Sequence, residues 1–279
     1  TYLEPAAALV RGAGFSDRTG RAELFRVPGY PLMLAPGTLA GAPVAGALAL
    51  QLLLSAVLVW RVVVIVGRTR GHDGTALAAG LAMAVEPTGL LWSLKVMPDT
   101  LFALSMLTFV DTAVRYCAAP SVRMAALATA VLAASAYVKP ASYPLAVALA
   151  AGAVLAALVP KLRPYWRHAV TAVAVLALSL GAWHVRNWQA ARYAGFATQL
   201  DLAVAVSAGG AALARRDGVK FNDVRVRLLE DVRSAASAPA ADLGAVHAQA
   251  RRNGWTLVLS APGAALSGHL AGAVRTLVD

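Results

Sequence analysis

Arg26 and Tyr30 lie in the run Arg26-Val27-Pro28-Gly29-Tyr30-Pro31, and their types and spacing suit contact with a phosphate at a membrane face. A guanidinium presents a rigid fork of donors that matches phosphate oxygens, and it stays charged at any working pH. Contact between an interfacial arginine and ordinary phospholipid is the competing account of Arg26. Tyr30, held between Gly29 and Pro31, either packs against such a phosphate or serves as an aromatic-belt residue at headgroup depth. Pro28 and Pro31 discourage a continuous helix, so the segment is expected to bend and aim Arg26. Asp99, in Met97-Pro98-Asp99-Thr100-Leu101-Phe102, opens an apolar stretch. It either faces an aqueous vestibule or serves only to start a helix.

The elements that must position these residues are apolar. Hydrophobic residues make up 59% of the 279-residue chain and charged residues 14%, and the mean hydropathy is +0.63. That composition is too apolar for one water-soluble domain and predicts an all-α polytopic membrane protein. A net charge of +11 would suit nucleic acid if it were clustered on a soluble face, but many of the cations sit in short turns between apolar runs. Cys117 is the only cysteine, so the chain forms no internal disulfide and no zinc-type cysteine cluster. Nucleotide-binding glycine loops and metal-ligand spacings are absent from the sequence.

Six apolar segments approach the roughly 20 residues that cross a bilayer core: 44–66, 75–96, 100–114, 124–138, 142–159 and 169–183. Arg68, Arg70, Arg115, Arg123, Lys161, Arg163 and Arg167 fall on alternate connections, and the intervening turns hold only Lys95 and Lys139. The positive-inside rule makes the arginine-rich side cytoplasmic and puts Arg26, Asp99, Lys139 and everything after Arg186 on the other side. Arg61 is expected to snorkel and Asp111 to pair with Arg115 four residues on, while Glu86-Pro87 either interrupts the second segment or supplies a functional carboxylate. These features divide the chain into an external and juxtamembrane segment (1–42), a helix bundle (43–186) and an external segment (187–279).

Within the external segment, 222–233 reads as an amphipathic helix carrying Val224, Leu228 and Val232. A second helix is expected after Ser260 as N-cap, with Leu266, Leu270, Ala273 and Leu277 on one stripe. Trp255 is its potential headgroup anchor. That stripe either lies in the interface or packs on the rest of the segment. Gly209-Gly210 reads as an uninformative loop.

The order of these motifs resembles the polyprenyl-phosphate-sugar glycosyltransferases of the GT-C class, a superfamily that includes protein O-mannosyltransferases and the lipid A aminoarabinose transferase. The resemblance rests on the arginine-bearing Pro28-Gly29-Tyr30-Pro31 turn, the basic loop, the proline-broken span, Asp99-Thr100-Leu101-Phe102, Lys139-Pro140 and Trp183 with Arg186-Asn187-Trp188. It covers most of residues 1–200. It implies a GT-C-like bundle in the plasma membrane that moves a sugar, with inversion, from a polyprenyl-phosphate donor to a lipid, glycan or protein acceptor at the external face. In that scheme Arg26, Tyr30 and Lys139 contact the donor phosphate, and Asp99 orients the acceptor or a divalent metal ion. Lys139 stands where relatives carry arginine, which keeps the charge but loses the fork. Relatives also carry an essential acid in the first external loop, at a place that here falls before Thr1. The chain is therefore expected to be a fragment, with Glu4 the nearest acid present. A transporter or flippase would use the same intramembrane charges without a catalytic base, and a non-catalytic membrane subunit would use the external segment to bind a partner.

Overall fold

The structure is a computed structural model and describes residues 1–70, 72–238 and 241–278. It is helical, with no strand among the described residues beyond a lone bridge between Ser16 and Ala22. Two compact units divide the chain, Thr1–Ala182 and Trp183–Asp279.

The first unit contains α1 (Leu3–Val10), α2 (Gly29–Leu39), α3 (Pro43–Arg70), α4 (Asp73–Ala84), α5 (Pro87–Ser93), α6 (Asp99–Ala118), α7 (Val122–Val138), α8 (Tyr143–Leu158) and most of α9 (Trp166–Ala191). Each of the six apolar segments is helical, but the expectation of six spans is corrected. Among the described residues four helical stretches are long and apolar enough to cross a bilayer: Pro43–Thr69, Asp99–Ala118, Pro140–Leu158 and Pro160–Ala191. The second segment is broken into α4 and α5, which meet at 56° and make a fifth span only together. Pro87 causes the break by removing a backbone donor, and Glu86 caps α5 through the N–H groups of Thr88 and Gly89. The fourth segment, α7, has 17 residues and falls short of the same criterion.

The outer surface of these helices is apolar. Leu53 is 61% exposed, Leu158 71% and Leu178 77%, the reverse of a water-soluble fold. Such helices point to association with a lipid bilayer.

Asp111 organises one end of the unit. It accepts from Arg115, four residues on, at 2.9 Å, and from Arg61 of α3 at 2.9 Å. The expected helical pair is present, whereas Arg61 does not simply snorkel. It crosses to α6, where it meets the carboxylate of Asp111. At the same end Tyr116 Oη lies 3.0 Å from His168 Nδ1, tying α6 to α9.

The second unit holds the end of α9, then α10 (Thr198–Leu202), a π-helical turn (Ala203–Ala208), α11 (Gly209–Asp217), α12 (Phe221–Ser237), α13 (Leu243–Ser260) and α14 (Pro262–Val278). The expected amphipathic helix is α12, whose Val224 is buried while Leu228 and Val232 pack on neighbouring core clusters. Two expectations are corrected. Ser260 ends α13, its hydroxyl donating to Leu257 O at 2.9 Å, and Ala261 makes the break before Pro262. Gly209-Gly210 is not a loop: it opens α11, where a Cβ on Gly209 would come 3.0 Å from Gly254 Cα of α13. Leu266 and Leu270 are exposed, and Gly268 on the other side of α14 packs against Ala211. The side chains of Ala273 and Leu277 lie outside the described residues.

Candidate functional site

The cluster of interest lies at the end of the first unit opposite Asp111. On α6 the step from Asp99 to Asp111 spans about 18 Å at 1.5 Å per residue. Four elements converge there: the 23–30 segment leading into α2, the start of α1, the start of α6 and the end of α7.

Asp99 is the first residue of α6, and Lys139 is the C-cap residue of α7. Lys139 Nζ donates to Asp99 Oδ1 at 2.6 Å and lies 5.6 Å from the Phe102 ring centroid. The carboxylate thus sits at a helix N-terminus and the ammonium at a helix C-terminus, the ends that favour each sign. Helix starting and pairing with Lys139 both apply to Asp99, and about a fifth of its side chain is open to solvent.

Arg26 is held by Glu23, a partner outside the motif that drew attention to the arginine. One guanidinium nitrogen lies 2.8 Å from Glu23 Oε2, while Glu23 Oε1 accepts the backbone N–H groups of Phe25 and Arg26. Glu23 is 4% exposed. Its oxygens are committed to shaping this turn, so it acts as the positioning partner of Arg26. The spacing of three residues is the signal in the sequence that could have revealed it. Arg26 also stacks 5.5 Å from the Tyr2 ring centroid, and the Tyr2 ring meets Tyr30 edge-on at 5.2 Å.

Tyr30 is neither at an open phosphate site nor in an aromatic belt. It is fully buried beneath Tyr2 and Ala6, and its hydroxyl donates to Gln51 Oε1 at 3.3 Å. Gln51, buried in apolar α3, donates through Nε2 to the carbonyls of Lys95 at 2.5 Å, Trp92 at 3.1 Å and Met97 at 3.2 Å. Tyr30 and Gln51 therefore fix the turn that delivers Asp99. A lone glutamine amid leucines is a legible signal of an internal anchor.

Electrostatics tie the pieces together. Burial raises the Tyr2 hydroxyl above its ordinary range; Arg26 opposes that shift, and the negative charges of Asp99 and Glu23 add to it. Burial raises Tyr30 further, with Tyr2 and Asp99 adding to the effect. Arg26, Asp99 and Glu23 are thus electrostatic neighbours of one phenol.

Gly29 supplies the closest approach of the turn to α7. A Cβ there would come 2.5 Å from the carbonyl oxygen of Tyr137, two residues before Lys139. The glycine is what lets the arginine-bearing turn seat on the end of α7.

The remaining motif residues do structural work in the second unit. Asn187, fully buried, donates to the carbonyls of Gly195 at 3.0 Å and Phe196 at 2.9 Å; Trp183 Nε1 donates to Phe196 O, and Arg186 lies 4.8 Å from the Trp183 ring centroid. Glu4 is engaged by Arg18 at 3.2 Å.

Both cations of the cluster have donor capacity beyond their carboxylate partners. A guanidinium has five N–H donors and an ammonium three, of which Glu23 and Asp99 each take one. The residues do not by themselves fit a divalent ion. Among the described residues no three His, Cys, Asp or Glu side chains converge, and both carboxylates here are already paired with cations.

Compared with protein-family models, curated proteins and solved structures, the chain matches none.

Proposed function

We propose that this chain belongs to a polytopic membrane glycosyltransferase with a GT-C-like bundle, which moves a sugar from a polyprenyl-phosphate carrier to an acceptor at the external face of the plasma membrane. The observation that carries the reading is the gathering of Arg26, Asp99 and Lys139, far apart in sequence, at the end of the bundle away from the arginine-rich turns. A lipid-linked phosphate presents its charge at headgroup depth, which is where helix ends and their caps lie.

In this reading Arg26 holds the donor phosphate with the N–H groups that Glu23 does not use, and Lys139 adds a second cation. As the bond between the anomeric carbon and the phosphate oxygen breaks, negative charge grows on the phosphate, and preorganised cations lower that barrier. Asp99 Oδ1 is held by Lys139, leaving the other oxygen to accept the hydrogen bond of the attacking hydroxyl. Tyr30 and Gln51 are positioning residues that keep Asp99 in place.

The test is transfer of radiolabelled sugar from a polyprenyl-phosphate donor in membranes that contain the protein. Arg26→Ala loses one charge-assisted phosphate contact, about 1.5–3 kcal/mol, so donor affinity falls about tenfold or more. Arg26→Lys falls less, and Asp99→Asn lowers turnover more than donor affinity. Wild-type donor binding by Arg26→Ala would assign Arg26 to ordinary lipid contact. Absence of transfer from every such donor would favour transport.

A further inference from the structure

At the end of the first unit that carries Asp111, α6, α7, α8 and α9 surround a cavity of about 550 Å³. Phe109, Leu149 and Ala172 are among its walls, and a Cβ placed on Gly152, also in the wall, would meet nothing within 4 Å. The alanines and glycine lining it leave open a volume that larger side chains would fill in an ordinary core. Thr129 in the body of α7 turns its hydroxyl to Ala125 O at 2.8 Å, and the other polar groups sit toward the turns: Tyr116 Oη pairs with His168 Nδ1 at 3.0 Å, and the Tyr165 ring meets His168 edge-on at 5.5 Å.

The mouth is basic. Lys161, Arg163 and Arg167 alternate along the chain with the lining residues Leu162, Tyr165 and His168. All three cations are exposed, and among the described residues no carboxylate bridges to them, Asp111 being engaged by Arg61, Arg68 and Arg115. An apolar cavity of this volume, bordered by a cationic turn, is complementary to an apolar chain ending in a negative headgroup.

We infer that the cavity takes an acyl chain of an anionic phospholipid whose phosphate is held at the mouth by Lys161, Arg163 and Arg167. The site depends on the bilayer placement of the bundle but not on glycosyl transfer. Its affinity comes from the mouth, because within a bilayer an acyl chain gains little by leaving other acyl chains. Headgroup charge must therefore decide occupancy, at about fivefold for each cation near the phosphate.

The experiment is native mass spectrometry of the detergent-purified chain, titrated with phosphatidylglycerol or phosphatidylcholine of identical acyl chains and with no sugar donor present. The expected result is one phosphatidylglycerol bound at a concentration about tenfold or more below that for phosphatidylcholine. The triple substitution Lys161→Gln, Arg163→Gln, Arg167→Gln should abolish that preference. Gly152→Phe, which fills the cavity, should weaken both lipids, and Ala153→Leu serves the same purpose if Gly152→Phe does not fold. Equal affinity for the two lipids in the unsubstituted chain, or unchanged phosphatidylglycerol binding in the filled variant, overturns the inference. A lipid-free dimer that Gly152→Phe dissociates also overturns it, by giving this face to a second copy. Because no donor is used, failure here is distinct from failure of the glycosyltransferase reading.

Discussion

Lys139 Nζ sits 2.6 Å from Asp99 Oδ1, joining the last turn of α7 to the first residue of α6 across 40 positions of sequence. Each group is about a quarter exposed and lies at the helix end that favours its charge, so the pair joins two helix termini as well as two charges. Asp99→Asn and Lys139→Met should each lower stability by about 1 kcal/mol, and the double variant should lose less than the sum of the singles. Unfolding of the three variants in detergent, followed by circular dichroism, measures the coupling. Additive losses would show that the contact contributes nothing in solution.

Gly29 should tolerate no side chain. A Cβ would meet the Tyr137 carbonyl oxygen at 2.5 Å, a backbone atom held in α7 that cannot rotate away. Gly29→Ala must therefore push the turn off α7, at a cost of about 1–3 kcal/mol. Gly74→Ala, whose Cβ meets nothing within 4 Å, should leave the midpoint unchanged or raise it. Thermal unfolding of the two variants, side by side, makes the comparison, and donor binding by Gly29→Ala should fall as Arg26 is displaced.

The helices are legible in the sequence because long apolar runs have few alternatives, and the alternation of arginine-rich and arginine-poor turns by itself assigns Asp99 and Lys139 to a common end. Span count is less legible: the Glu86-Pro87 break is visible, but whether α4 and α5 make one crossing depends on a bend angle that composition does not encode. Tyr30 shows a different limit. Its motif advertises an exposed ring, yet α1 covers it, and coverage by a helix that starts at Leu3 is a tertiary fact. Gln51 reaches carbonyls 41 to 46 residues away, and no local pattern specifies such partners. Ser260 misleads because a serine before a proline suits the start of one helix as well as the end of another.

The burial of Tyr30 has a consequence in alkali. Its folded pKa lies above the ordinary value of 10.0, so the folded state keeps the proton while the unfolded chain loses it. The stabilisation is complete below about pH 10 and declines as pH rises, because ionisation then favours the unfolded state. Tyr30→Phe should flatten this decline. At neutral pH the same variant should be about 1–2 kcal/mol less stable, because Gln51 Oε1 loses its donor. Unfolding free energy measured from about pH 8 to about pH 11 separates the two effects. Parallel curves for the two proteins would mean that another group governs the alkaline loss.

Cys117 provides a native probe of orientation. It is the only cysteine, it is exposed, and it lies in the last turn of α6, whose 20 residues extend about 30 Å from Asp99. If the arginine-rich turns are cytoplasmic, an impermeant maleimide should leave Cys117 unlabelled in intact cells and label it once the cells are opened. In a Cys117→Ser background, Arg18→Cys should react from outside without opening, because Arg18 is 83% exposed and pairs with Glu4 of α1, whose neighbour Tyr2 stacks on Arg26 and Tyr30. The two probes sit on opposite ends of the same bundle, so they must give opposite answers if α6 crosses the bilayer. External labelling of Cys117 alone would invert the orientation and put Arg26 and Asp99 on the cytoplasmic face, where the acceptor chemistry proposed here has no external substrate. Labelling of both from outside would mean that α6 does not cross at all, and the case for a headgroup-level site at Asp99 would fall with it.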